Sequence, residues 1–70
     1  MRQQRLERDV LRAVAERRPI RVTDLADRVD EHPVAVDRAC RRLHDEGHIS
    51  SAGRGVYDVT ERGQRRLAER

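Results

Sequence analysis

Hydrophobic residues recur at helical spacing from the start of the chain. Leu6, Val10 and Val14 lie four residues apart between Arg and Glu side chains. This pattern predicts an amphipathic helix over residues 2–17. Because a proline disfavours helical angles at the residue before it, Pro19 should end this helix.

Two shorter helices are predicted next, after a three-residue strand indicated by the alternation of apolar and charged residues at 20–22. Thr23 is a suitable N-cap for the second helix. Pro33 suits the first position of a third helix, because no backbone donor is needed there. That helix should continue to about Glu46, and Gly47 is the expected stop.

The third helix has a continuous apolar stripe, at spacings of three and four residues, that should face the core. The stripe consists of Val36, Ala39, Cys40 and Leu43. The residues between these positions are therefore expected to point outward.

A β-hairpin is predicted after the third helix. Its strands would span residues 48–51 and 56–59 around a glycine-containing loop, residues 52–55. Thr60 should cap a last helix over residues 61–69. We expect the residues that unite these elements to be largely buried in one core: Val36, Cys40, Leu43, Ile49 and Tyr57.

The predicted order is helix, strand, helix, turn, helix, hairpin, helix, which makes the fold class α+β. Two short helices joined by a tight turn and followed by a hairpin are typical of the winged helix-turn-helix arrangement, here with a short C-terminal helix. Seventy residues allow one modest core, so residues 1–70 are interpreted as a single domain.

Composition permits nucleic-acid binding without demonstrating it. All 16 basic residues are Arg, 13 residues are acidic, and the net charge is +3. An arginine-only set is consistent with a GC-rich genome and also suits bidentate recognition of guanine and phosphate. A charge of this size is also common in soluble domains that bind no nucleic acid.

Other functional classes have little support in the residues. Cys40, His44 and His48 could suggest a metal, but the positions favour a buried thiol and a helix end, and no further cysteine is available. We therefore expect no metal and no cofactor. Paired carboxylates, an activated nucleophile and a phosphate-binding loop are not evident, so an enzyme is not expected.

The single cysteine fits a reducing compartment, and no signal-like or membrane-length apolar run is present. A cytoplasmic protein that does not bind a membrane is expected.

The segment TDLADRVDEHPVAVDRACRRLHDEG (residues 23–47) resembles the helix-turn-helix core of prokaryotic winged-helix transcriptional regulators. The following segment HISSAGRGVYDVTERGQRRL (residues 48–67) is similar to their wing and closing helix. Within it, GVYDVTERG (residues 55–63) resembles small haloarchaeal winged-helix regulators, including virus repressor-like ones. The resemblance implies a sequence-specific regulator of transcription that binds double-stranded DNA and commonly acts as a homodimer. The likeness to virus repressor-like proteins further implies a repressor.

The resemblance also implies which residues contact DNA. Arg38 would read guanine, Val34 and Ala35 would touch thymine methyl groups, and Arg54 at the wing tip would enter the minor groove. The full set implied for DNA contact is Pro33, Val34, Ala35, Asp37, Arg38, Arg41, Arg42 and Arg54. Within this set, Arg41 and Arg42 would meet phosphates.

One residue of that set departs from the family pattern. Asp37 would repel phosphate, so it either orients Arg41 one turn further on or accepts a hydrogen bond from cytosine. A third interpretation is that this helix face meets protein. The alternative function is therefore a winged-helix protein-interaction module in a larger complex, without DNA binding.

Overall fold

The computed structural model describes residues 2–69, with side chains from residue 5 onward. Its elements are α1 (Arg2–Glu16), β1 (Ile20–Arg21), α2 (Val22–Val29), α3 (Pro33–Asp45), β2 (Ile49–Gly53), β3 (Val56–Val59) and α4 (Glu61–Ala68). The three strands form an antiparallel sheet in the order β1-β3-β2. Among the residues described, the fold is therefore α+β, with four helices and one three-stranded sheet, as the sequence predicts at this level.

The core lies between α1, α2, α3 and the inner face of the sheet. α3 contacts α1, α2 and β2, so it is held on three sides. The fully or nearly fully buried apolar residues are Val10, Leu11, Ala13, Val14, Ile20, Leu25, Ala26, Val36, Ala39, Cys40, Leu43, Ile49 and Val59. Four of the five residues expected in the core are buried. The fifth, Tyr57, is half-buried and packs against its edge.

The start of α2 differs from the prediction. Helix α2 begins at Val22 after Arg21, which makes no capping hydrogen bond through its side chain, and Thr23 is an exposed residue of the first turn. The expected cap at Thr23 is therefore wrong. The backbone N–H of Val22 instead donates to the carbonyl oxygen of Gly55, 2.9 Å away in the hairpin turn. The N–H of Val22, which has no hydrogen-bond partner within α2, is thus paired with a carbonyl group that is distant in the sequence.

A tight turn connects α2 to α3. Asp30 adopts the left-handed conformation (φ 56°), which Asp tolerates better than most residues. The backbone N–H of Glu31 donates to the carbonyl oxygen of Ala26 at 3.2 Å. Pro33 then occupies the first turn of α3, as predicted.

The end of α3 confirms the predicted role of Gly47. This glycine has φ 79°, in the left-handed region where a side chain is disfavoured. Its N–H donates to the carbonyl of His44 at 3.0 Å, and the N–H of His48 donates to that of Leu43 at 2.8 Å. This pair of bonds is the Schellman arrangement that closes a helix.

The hairpin is longer and tighter than the predicted one. Strand β2 extends to Gly53, which pairs with Val56, so the turn itself contains only Arg54 and Gly55. The register shifts between Ser51 and Gly53, which makes a bulge. The predicted four-residue loop is therefore a bulge plus a two-residue turn.

Helix α4 is anchored to the base of the hairpin. The hydroxyl of Thr60 accepts from the N–H of Gly63 at 3.1 Å and donates to the carbonyl oxygen of Gly47 at 2.6 Å. The first bond is the predicted N-cap. Gly63 is buried against the carbonyl group of His48, so closely that any side chain would overlap it. Within residues 2–69, no helix is both long and apolar enough to span a membrane.

Candidate nucleic-acid interface

Helix α3 has one face in the core and one face in solvent. Val36, Ala39, Cys40 and Leu43 are fully buried, as the apolar stripe predicts. His32 caps the helix, because its Nδ1 accepts from the backbone N–H of Val34 at 3.1 Å. Histidine is not among the usual N-cap residues, so the residue type gives little signal for this cap.

The predicted contact residues in the first turns of α3 are accessible. Pro33 and Val34 are exposed, Ala35 is half-buried, and Arg38 is exposed one turn after Val34. Positions 34, 38 and 41 follow helical spacing and therefore share one face. This face carries an apolar patch at its N-terminal end and arginines further along.

Asp37 and Arg41 form the ion pair that their spacing predicts. The Nε of Arg41 lies 3.3 Å from the Oδ2 of Asp37, and the two side chains are 77% and 42% exposed. Of the two roles left open for Asp37, the structure contains the one that orients Arg41. A pair so exposed contributes little to stability.

Tyr57 of β3 lies beside this pair, which sequence reasoning did not foresee. Burial raises the pKa of its phenol, electrostatic coupling to Cys40 and to the Asp37 carboxylate raises it further, and Arg41 lowers it. These effects place the phenol among groups of α3. Pairing of Tyr57 with Ser51 on β2 and Ile20 on β1 puts it in the central strand. The one signal for this position in the sequence is that Tyr57 is the single aromatic residue.

Arg42 is placed differently from Arg41, although the sequence grouped the two as phosphate contacts. Its Nε lies 2.8 Å from the Oε2 of Glu7 on α1, and Glu7 is the buried charged residue of the described part of the chain. A carboxylate at a buried position needs a charged partner to offset its lost hydration. The Nε edge of the Arg42 guanidinium is therefore bound to Glu7 of α1, while the residue itself is exposed, as its outward position on the helix predicts.

Arg54 is exposed in the two-residue turn of the hairpin. Gly55 beside it has φ 68° and open space where a side chain would stand. Because the carbonyl of Gly55 accepts from Val22, the turn is attached to the first residue of α2. The hairpin tip is thus a small, accessible, basic element fixed to the body of the protein.

The three groups considered for metal binding have different surroundings in the structure. Burial, followed by the charge of Asp37, raises the pKa of the Cys40 thiol to about 12, so it stays protonated at neutral pH. His48 is half-buried and interacts with Arg66 and Glu46, whereas His44 is exposed. Across the described residues, no three His, Cys, Asp or Glu side chains come together as a metal site would require.

Comparison of the chain with protein-family models, with curated proteins and with solved structures gave no significant match. The assignment of a function therefore depends on the residues and their geometry.

Proposed function

We propose that the protein is a winged helix-turn-helix regulator of transcription, of repressor type, that binds double-stranded DNA in a sequence-specific manner. The observation that carries the proposal is the exposed face of α3. This helix is held on its inner side by four buried apolar residues, and it presents Arg38 and Arg41 on its outer side. A rigid helix with exposed arginines in its first turns matches the requirements of major-groove recognition.

Arg38 is the proposed base-reading residue. It is exposed, and it forms no ion pair with the side chains described at residues 5–69. Its guanidinium can therefore donate both hydrogen bonds to O6 and N7 of a guanine. Val34, Ala35 and Pro33 would offer apolar contact to thymine methyl groups at the neighbouring base pairs.

The remaining residues of the proposed interface have supporting roles. Arg41, oriented by Asp37, would contact a phosphate. Arg54 would lie against the minor groove, where a narrow groove concentrates negative potential. Arg42 is assigned a weaker role in DNA contact, because Glu7 neutralises its charge.

Selection of bound sequences from random duplex DNA, repeated at several salt concentrations, tests the proposal. We expect a defined motif that contains guanine, and we expect the logarithm of the affinity to fall linearly with the logarithm of the salt concentration. Binding without a motif would remove the sequence-specific part of the proposal. No binding even at low salt would reject DNA as the ligand.

A second candidate function has one observation in its favour. Val34 is 54% exposed, the one large apolar side chain so exposed among the residues described, and the exposed carboxylates of Asp30 and Glu31 precede it. An apolar patch beside acidic groups suits a protein partner better than a phosphate backbone. The Val34→Ser variant separates the two functions: it should change preference at one base pair if the ligand is DNA, and abolish binding to a protein partner.

A further inference from the structure

A basic groove lies at the opposite end of α3 from the proposed base-reading residues. It has a volume of about 610 Å³, opens to solvent and is lined by His48, Arg62, Arg65, Arg66 and Glu69. Its walls are α4 and the segment that leads from α3 into β2. Because α3 has 13 residues and a helix rises about 1.5 Å per residue, the groove is roughly 20 Å from Pro33. Its lining residues all lie outside α3, so the groove does not include the proposed base-reading residue Arg38.

Arg66 and His48 are held in place within the groove. The NH1 group of Arg66 donates to Nδ1 of His48 at 3.3 Å, and the His48 side chain is only 15% exposed. Oε1 of Glu46 lies 3.5 Å from the NH1 group of Arg66 and 3.4 Å from Nδ1 of His48, so both side chains are oriented by their neighbours before any ligand arrives.

The other two arginines are available to a ligand. The side chain of Arg62 lies over Gly47, and it takes part in no ion pair with the side chains described at residues 5–69. Arg65 lies 3.1 Å from Glu61, but the two side chains are 72% and 85% exposed. A pair so well hydrated is weak, and an anion can replace the carboxylate.

We propose that this groove is a binding site for the phosphate group of a ligand. Arginine guanidinium groups match the geometry of phosphate oxygens, and two of them on successive turns of α4 can engage one group from two sides. The nearby carboxylates of Glu46, Glu61 and Glu69 cancel part of the positive charge. Because guanidinium groups donate directed hydrogen bonds to several oxygens at once, the site should nevertheless favour phosphate over a simple anion such as chloride. This proposal does not depend on DNA binding by α3.

Two sources supply such a group, namely the backbone of DNA and a small phosphorylated molecule. We therefore test the shared chemistry first, without DNA. Inorganic phosphate is titrated into the isotope-labelled protein at constant ionic strength, with chloride as the balancing ion, and amide chemical shifts are followed by NMR. We expect saturable shifts centred on Gly47, His48 and residues 62–66.

The Arg62→Gln/Arg65→Gln variant should bind phosphate at least about tenfold more weakly, because two charged hydrogen-bond donors are lost. The matched control is Arg8→Gln/Arg12→Gln, which removes the same charge from the exposed side of α1 and should bind phosphate as the parent does. Both variants are exposed-surface changes, and an unchanged melting temperature establishes that each is folded. Arg65→Gln alone serves if the double variant unfolds.

Non-saturable shifts, or equal binding by the parent and the Arg62→Gln/Arg65→Gln variant, would overturn the proposal. Once the phosphate site is established, the salt dependence of DNA binding identifies its source. A slope reduced by about 2 in this variant assigns the groove to the DNA backbone. An unchanged slope assigns it to a separate phosphorylated molecule.

Discussion

Arg41 and Arg42 are neighbours in the sequence, yet their guanidinium groups lie in different environments. Arg41 is 77% exposed and pairs with Asp37 on its own helix, whereas Arg42 pairs with Glu7 on α1. Adjacent residues of a helix point about 100° apart, so one can face solvent while the next faces a neighbouring helix. The Glu7 side chain is 11% exposed, and its partner therefore matters more for folding than the partner of an exposed carboxylate.

Replacement of Arg42 should destabilise the fold. Arg42→Ala leaves Glu7 without its charged partner, and we expect a loss of about 1–3 kcal/mol in the free energy of unfolding. Arg41→Ala is the matched control and should change it by less than about 0.5 kcal/mol. Chemical denaturation of both variants measures the difference. Equal losses would show that Glu7 does not require Arg42.

Arg38 tests specificity at the level of a single side chain. Arg38→Ala should cost about 1–3 kcal/mol of affinity on the preferred site and relax the preference at one base pair. Stability should be unchanged, because the side chain is exposed. Arg8→Ala, an exposed change on α1, is the control. Binding assays on specific and random duplexes provide the measurement, and the same loss on both would reduce Arg38 to a phosphate contact.

At the scale of elements, the hairpin and α4 are attached to the helices through backbone groups. The turn of the hairpin accepts a hydrogen bond from the start of α2, and the N-cap of α4 donates one to the end of α3. Such bonds fix the wing and the last helix relative to α3. The positions of Arg54 and of the α4 arginines therefore depend on these two hydrogen bonds rather than on contacts between arginine side chains.

The wing is predicted to act on DNA without contributing to stability. Arg54→Ala should leave the free energy of unfolding within about ±0.5 kcal/mol, because the side chain is exposed at a turn. Affinity should fall most on sites with A·T-rich flanks, since their narrow minor groove attracts arginine. Titrations with A·T-flanked and G·C-flanked versions of one site measure the effect. Unchanged affinity on both would exclude the wing from the interface.

Gly63 tests the contact between α4 and the hairpin base. Gly to Ala inside a helix ordinarily stabilises by about 1 kcal/mol. Here the added methyl group would overlap the carbonyl of His48, so we expect Gly63→Ala to destabilise by about 1–3 kcal/mol instead. Gln64→Ala, at the next and exposed position, should be nearly neutral. Chemical denaturation measures the sign of the change in the free energy of unfolding. An increase for Gly63→Ala would contradict the close packing of Gly63 against His48.

At the scale of the whole molecule, a small core carries the stability. Its buried apolar residues are aliphatic side chains and Cys40, and the single aromatic residue, Tyr57, lies only at the core's edge. A domain of this size has a free energy of unfolding of only a few kcal/mol. One large cavity in the core should therefore remove a major part of it.

Cys40 offers a direct readout of global unfolding. Its side chain is fully buried and its thiol pKa is raised to about 12, so alkylation requires the protein to open. Leu43→Ala should cost about 2–5 kcal/mol and raise the alkylation rate by at least about 30-fold. Circular dichroism of the same variant should show a large loss of thermal stability. Rapid alkylation of the parent protein at neutral pH would contradict the burial of Cys40.

The sequence by itself determined the order of the elements, the inner stripe of α3, the helix stop at Gly47 and the cap at Thr60. These features follow from interactions among residues close in the chain, where spacing and side-chain chemistry suffice. It also offered the pair of Asp37 with Arg41, one helical turn apart, as one of the interpretations of Asp37, and the structure contains that pair. The set of residues on the outer face of α3 follows from the same periodicity, but the ion pair of Arg42 with Glu7 does not.

Only the tertiary structure decided the contacts between distant segments. These include the ion pair of Arg42 with Glu7 and the start of α2 at Val22, whose N–H donates to the carbonyl oxygen of Gly55. They also include the position of Tyr57 beside α3 and the groove between His48 and α4. Each depends on how whole elements pack, and local preferences of a few tenths of a kcal/mol cannot determine that. Thr23 has every local property of an N-cap, but the hairpin turn supplies the acceptor one residue earlier.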